Sequence, residues 1–294
     1  MAISKVGVLG CGLMGHGISQ ICAQQGWDVV VREIDQAQLD KGMGKIEKQL
    51  ARAVEKGRME QSDADAVRGR ISPTLEYSDL ADCDLVIEAI TEDLDRKLEM
   101  WREVDELVKD DAYLATNTSS LSVATQADAT KRPERMIGLH FFNPPQVMPL
   151  LEVVRADDSA DDAVALGFEI GEALGKTTVA AGDNRGFIVN RLLVPYMLDA
   201  IRANEEGVGS ISDIDTGMMA GASHPMGPLT LADFVGLDTL VAIADVMVDA
   251  YGEDRFAAPD TLKKMVDAGD FGRKSGKGFY DYSGDQPVPV DAGN

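Results

Sequence analysis

Three histidines are the chain's whole supply of imidazole, so proton transfer near neutral pH falls to His16, His140 or His224. His16 sits in a glycine-rich turn, where contact with an anion or with solvent is the ordinary use. His224 precedes Pro225 in a turn and reads as capping or packing. His140 follows the strand-like run 136–139 and precedes Phe141-Phe142-Asn143-Pro144-Pro145. That puts it at the carboxyl end of a strand, where open α/β sheets assemble their sites. Glu152 lies in the next strand-like run, 150–154. A return through the prolines would bring its carboxylate to the imidazole, fix the tautomer and steady the charged ring, giving a base and its orienter. On spacing alone, a structural histidine satisfied by its neighbours stays open as the alternative. Neutral groups suited to holding a substrate oxygen are Ser119, within Asn117-Thr118-Ser119-Ser120, and Asn190. Their other readings are a helix N-cap around Ser120 or Ser122 and a helix-packing amide.

The elements that must position these groups follow from hydrophobic period. A β-branched run at 3–10, a glycine turn, an apolar-periodic helix to about residue 25 and a second run at 29–31 make a βαβ unit. Further strand candidates at 84–90, 113–116, 136–139, 150–154 and 177–180 alternate with helical stretches at 40–57, 94–109 and 160–174. This predicts an α/β fold with a doubly wound, mostly parallel sheet. Gly182, Asp183, Asn184 and Gly186 then form a hinge, and 187–206 reads as a long amphipathic helix. The expected domains are 1–183, of Rossmann type, and 184–294, all helical.

Gly10, Gly12 and Gly15, with Leu13 and Met14 between them, form G-x-G-x-x-G between the first strand and the first helix. Such a turn lets backbone approach a pyrophosphate at a helix N-terminus. Glu33 follows the second strand, where a carboxylate accepts from ribose hydroxyls and repels the extra phosphate of NADP, so NAD is the expected cofactor. Arg32 beside it leaves NADP open, and FAD domains use similar glycines.

Fifty acidic against 28 basic residues give a formal charge of −22, which argues against nucleic acid and anionic membrane as partners. The excess runs along the whole chain and suggests adaptation to a high-salt cytosol; an ordinary acidic enzyme is the other reading. No apolar run approaches a membrane span, and a strand begins almost at once, so a cytoplasmic location without targeting peptide is expected. Cys11, Cys22 and Cys83 have neither disulfide nor metal spacing. Against this acidity, Lys41, Lys45, Lys48, Arg52, Lys56 and Arg58 face only Glu47 and Glu55 between residues 41 and 58. The first five fall on one helical face, as a polyanion such as coenzyme A would require, or as a solvated face would equally show.

Taken together the chain resembles the 3-hydroxyacyl-CoA dehydrogenase family over essentially its whole length, and most of all its bacterial 3-hydroxybutyryl-CoA dehydrogenases. The resemblance rests on Gly10-Cys11-Gly12-Leu13-Met14-Gly15, Asp84-Leu85-Val86-Ile87-Glu88-Ala89, Asn117-Thr118-Ser119-Ser120-Leu121 and Leu139-His140-Phe141-Phe142-Asn143-Pro144. It continues through Gly186-Phe187-Ile188-Val189-Asn190-Arg191, His224-Pro225-Met226-Gly227-Pro228 and Gly272-Arg273-Lys274-Ser275-Gly276-Lys277-Gly278-Phe279-Tyr280. It implies oxidation of an (S)-3-hydroxyacyl-CoA to the 3-ketoacyl-CoA with NAD, and the reverse, with His140 and Glu152 as catalytic pair. It further implies Ser119 and Asn190 on the substrate oxygen and Asn143 close to both ligands. Glu92, Lys97, Asn117 and Lys274 would line the NAD site, Lys56 would meet coenzyme A, and the C-terminal domain would pair two copies. A dehydrogenase of a free β-hydroxy acid and a non-catalytic NAD-binding protein are the competing readings. Pro149, Gln49 and His16 depart from the family pattern, where lysine, often serine, and a small residue stand; the first two bear on coenzyme A and the third on the pyrophosphate turn.

Overall fold

The computed structural model describes residues 3–290. The chain divides into two compact units between Phe187 and Ile188. In the first, β1 (Lys5–Leu9), α1 (Gly15–Gln24), β2 (Asp28–Arg32), α2 (Gln36–Glu55), α3 (Gln61–Gly69) and β3 (Ile71–Thr74) lead into β4 (Leu85–Glu88). Then come α4 (Leu94–Leu107), β5 (Tyr113–Thr116), α5 (Val123–Ala127), β6 (Met136–Phe141), β7 (Leu150–Arg155), α6 (Asp161–Ala173) and β8 (Thr177–Gly182). The sheet order is β3-β2-β1-β4-β5-β6-β7-β8, with β7 antiparallel to β6 and β8 parallel to β7. The order reverses between β1 and β4, so the chain ends of these strands open a crevice at the point where α/β sheets take their ligands.

Side chains alternate across the sheet with period two. Val6, Val8, Leu85, Ile87, Ile137, Leu139, Leu151 and Val153 pack on one face against Ile18 and Cys22 of α1, Met43 and Ile46 of α2, and Leu166 and Ile170 of α6. Leu9, Val86, Leu114, Met136 and Val154 pack on the other against Met100, Trp101 and Val104 of α4 and Val123 of α5. His140 and Glu152 share the parity of Met136 and Val154, and so they emerge on the α4–α5 face.

The predicted α/β architecture is present, with two elements that the hydrophobic period did not show. β3 is an edge strand containing Pro73, which costs nothing where no outer strand needs its N–H. α3 buries only Ala64 and Val67, too few apolar residues to mark a helical stripe.

The second unit is helical: α7 (Val189–Glu205), α8 (Ile211–Ala222), α9 (Pro228–Val235), α10 (Leu237–Tyr251) and α11 (Asp260–Asp267). To the expected helices it adds a short antiparallel ladder, β9 (Tyr280–Asp281) with β10 (Val288–Pro289). Buried Asp215 of α8 caps α9 through the Leu229 and Thr230 amides at 2.8 and 2.9 Å. Asp233 of α9 accepts from the Phe279 and Tyr280 amides and the Tyr282 hydroxyl, and Cβ atoms at Gly272 or Gly278 would collide with Asp233. That approach explains Gly272 and Gly278 of the Gly272–Tyr280 block in packing terms.

Candidate active site

His140 and Glu152 are register partners across the antiparallel β6–β7 ladder. Residues so paired project side by side, and His140 Nδ1 lies 2.6 Å from Glu152 Oε2. The strand therefore runs two residues beyond Leu139, where the sequence reading closed it, and His140 is inside β6 rather than past its end. Both side chains are buried, the glutamate completely. A neutral imidazole that donates from Nδ1 to the carboxylate keeps Nε2 as the nitrogen able to take a proton. Phe142 and Phe187 flank the ring, with centroids 4.6 and 5.4 Å away. Phe187 holds φ at 49°, a left-handed conformation costly for a bulky side chain, and it follows Gly186 at φ 80°. Hydrophobic period places Phe187 at a helix start; nothing in residue type signals this backbone, although the glycine before it marks the bend.

Ser119 belongs to a turn built around one carboxylate. Glu92 Oε1 accepts from the Thr118 hydroxyl, from the amides of Ser119 and Ser120 at 3.0 and 3.2 Å, and from the Ser120 hydroxyl at 3.1 Å. Among the described residues the Ser119 hydroxyl has no hydrogen-bond partner, so the turn presents it without using it. Lys97 holds Glu92 at 3.0 Å and, with only 1% of its surface exposed, both oxygens of Glu88 at 2.6 and 2.7 Å. Thr116 and the Ile90 amide complete the Glu88 shell. Burial lifts the Glu88 carboxyl above its ordinary range against the pull of Lys97. Burial pushes Glu92 the same way, but Lys97, Thr118 and the Ser119 amide outweigh it and hold Glu92 below the usual range. Asn117 accepts the Phe141 amide at 2.9 Å and so ties this turn to the strand of His140. Asp183 caps α5 through the Val123 and Ala124 amides, and Arg185 donates to the Ser120 carbonyl at 3.1 Å. The hinge residues thus brace the same turn, a role that spacing did not reveal.

The glycine turn leaves β1 and enters α1. A Cβ at Gly10 would stand 2.6 Å from the Ala89 carbonyl, and one at Gly15 would run into the Gly10 carbonyl. A Cβ at Gly12 would meet nothing within 4 Å, so the protein's own packing does not require glycine there. The open approach is the kind a bound pyrophosphate uses. Glu33 Oε1 accepts the Cys11 amide at 2.6 Å and Oε2 the Ile34 amide at 3.0 Å, which sets the carboxylate beside the turn. Arg32, which left NADP open, donates to the Leu75 carbonyl at 3.1 Å and lies 3.8 Å over the Tyr77 ring. Its guanidinium is engaged on the protein rather than held out for a phosphate.

The remaining residues separate clearly. Lys41, Lys48, Arg52, Lys56 and Arg58 are exposed, Lys45 is half-buried, and none of the six has an ion-pair partner among the described residues. Glu47, one of the two carboxylates facing them, is taken by Arg68 at 2.9 Å. Asn143 is exposed in the β6–β7 turn. His16 is buried in α1, and His224 Nδ1 meets the Tyr196 hydroxyl at 2.8 Å. Asn190 stands in the first turn of α7, in the second unit, where Lys274 pairs with Asp238.

A sheet that opens at its switch point onto a glycine turn and a ribose-type acid, with an imidazole and carboxylate paired across neighbouring strands, defines an NAD-binding dehydrogenase. The family described as "3-hydroxyacyl-CoA dehydrogenase, NAD binding domain" matches residues 5–184, and "3-hydroxyacyl-CoA dehydrogenase, C-terminal domain" matches 186–282. The chain belongs to the 3-hydroxyacyl-CoA dehydrogenase family. It is 47% identical to a 3-hydroxybutyryl-CoA dehydrogenase of Mycobacterium tuberculosis, over 96% of this chain and 99% of that one. Identity is 41% to one of Clostridioides difficile, over 95% and 99%. The crystal structure of (S)-3-hydroxybutyryl-CoA dehydrogenase from Ralstonia eutropha superposes with a TM-score of 0.92 at 38% identity, covering 96% of this chain and all of that one.

Proposed function

We propose that the enzyme interconverts (S)-3-hydroxybutyryl-CoA and acetoacetyl-CoA, and that His140 is its general base. The observation carrying this is the 2.6 Å contact between His140 Nδ1 and Glu152 on paired strands. NAD, when bound, supplies the hydride acceptor. His140 Nε2 takes the proton of the 3-hydroxyl as the C3 hydrogen leaves, and Glu152 compensates the imidazolium so formed. Ser119 holds the same oxygen from its pinned turn. In reduction His140 returns the proton. The rings of Phe142 and Phe187 limit water beside the imidazole.

Gly10, Gly12, Leu13, Met14, Gly15 and Glu33 are the residues that would hold the cofactor's pyrophosphate and ribose, with Glu92, Asn117 and Asn143 lining the approach and Lys97, buried behind them, holding Glu92 in place. Asn190 as a second group on the oxygen and Lys274 as a cofactor contact rest on the family resemblance alone. The unpaired cations of α2 and of Lys56 at its C-terminal cap favour a coenzyme A thioester over a free acid, because phosphates need local positive charge on a protein of −22. Turnover of acetoacetyl-CoA against acetoacetate, with NADH, tests this. The thioester is the expected substrate, and equal rates would overturn the assignment.

Two properties of the whole protein belong to the same reading. The second unit exposes Leu192, Val208 and Met219, apolar groups suited to pairing two copies, and light scattering is expected to give a dimer mass. The net charge fits a high-salt cytosol, where ions screen self-repulsion. Activity and the unfolding midpoint are expected to rise with salt, and full values in dilute buffer would contradict that. No helix among the described residues is long and apolar enough to cross a membrane.

A further inference from the structure

His16, Gln49 and Gln146 make one hydrogen-bonded chain. His16 Nδ1 lies 2.6 Å from the Gly12 carbonyl of the glycine turn. Gln49 Nε2 lies 3.2 Å from His16 Nε2, and Gln146 Nε2 donates to Gln49 Oε1 at 2.6 Å. The direction is fixed throughout. A carbonyl can only accept, so Nδ1 carries the proton; the neutral ring then accepts at Nε2; Gln49 must present its amide N–H there and its oxygen to Gln146. Burial lowers the His16 pKa below its ordinary value, the Gly12 carbonyl opposing and Lys45 adding to the shift, which keeps the ring in the neutral form the chain needs.

Both ends of the chain are placed to matter. In a trans peptide the carbonyl and the following N–H point in opposite directions. Holding the Gly12 carbonyl against His16 therefore aims the Leu13 N–H the other way, and among the described residues that N–H has no partner. At the far end, Gln146 belongs to the turn that carries Asn143 and joins the strands of His140 and Glu152. Lys176 grips the same turn through the Pro145 and Met148 carbonyls at 2.5 and 2.8 Å. The fit is close: a Cβ at Gly17 would stand 2.8 Å from the Gln146 amide, and one at Gly42 of α2 would collide with Cys11.

We propose that His16, Gln49 and Gln146 are positioning residues that couple the pyrophosphate turn to the β6–β7 turn, so that cofactor affinity depends on Gln146 although it lies outside the glycine turn. The proposal rests on NAD lying at that turn and on the active-site reading above. It predicts that losing any link frees the Gly12–Leu13 peptide.

NADH is titrated by fluorescence into the native enzyme and into His16→Ala, Gln49→Ala, Gln146→Ala and the His16→Ala/Gln146→Ala double variant. Each single change is expected to raise the NADH Kd by about three- to tenfold, the double variant being no weaker than His16→Ala alone, as a shared network requires. A merely structural Gln146 would lower the unfolding midpoint and leave the NADH Kd untouched. A Gln146→Ala Kd within about twofold of native, or effects that multiply in the double variant, would overturn the coupling. Where Gln146→Ala fails to fold, Gln49→Ala decides by the same criterion. Because cofactor binding is read directly, a native enzyme inactive on acetoacetyl-CoA would sink the substrate assignment without touching this result.

Discussion

Glu152 reaches His140 from the neighbouring antiparallel strand, and the register of the β6–β7 ladder sets the two side by side on one face of the sheet. The carboxylate has two tasks: it selects the tautomer that leaves Nε2 free, and it offsets the charge that forms there. Glu152→Gln keeps the shape and removes both. The expected result is a fall in kcat of about 10²- to 10⁴-fold with little change in the NADH Kd, measured by steady-state kinetics and fluorescence titration. A variant within tenfold of native would mean that the pair is structural.

Lys97 sits between Glu88 and Glu92 and is almost wholly buried. Lys97→Met leaves the Glu88 carboxyl without its cation, and the expected loss is about 3–5 kcal/mol by urea unfolding. Adding Glu88→Leu is expected to recover much of it, because the stranded group is then gone. A loss below about 1 kcal/mol would place the pair among the weak ones.

Glu33 is held beside the glycine turn by two backbone amides while Arg32 is engaged elsewhere. Glu33→Ala is expected to raise the NADH Kd about tenfold and to narrow the preference for NADH over NADPH, since acceptor and repulsion go together. Unchanged discrimination in a titration with both cofactors would remove Glu33 from the ribose.

Asp84 fixes the start of β1 to the start of β4. Burial opposes its ionisation, but Lys109, the Ser4 and Lys5 amides and the Ser4 hydroxyl outweigh that and hold the carboxyl well below its ordinary 3.8. A folded pKa below the unfolded one gives stability that is present above 3.8 and is lost as pH falls toward the folded value. Asp84→Asn is expected to be less stable at pH 7 and to show a shallower acid limb below about pH 4. Parallel acid limbs for the two proteins would contradict this.

Much of this architecture could be read from period and punctuation. Alternating β-branched runs, the glycines at 10, 12 and 15 and the acid at 33 specify the first βαβ unit locally, and Pro144-Pro145 marked the return that joins His140 to Glu152. What escaped depends on contacts made only in the fold. Pro73 looks like a breaker until β3 is seen to be an edge strand. The resemblance gives Lys97 as a residue lining the NAD site, and nothing in the spacing of α4 shows that Glu88 and Glu92 enclose it. Phe187 adopts its left-handed backbone next to His140 for reasons no residue type announces.

His140→Gln tests the proposed proton transfer most directly. With NADH and acetoacetyl-CoA the variant is expected to lose at least about 10³-fold in kcat while binding NADH within about twofold of the native enzyme. Turnover within tenfold of native, with the fold intact by circular dichroism, would show that another group moves the proton.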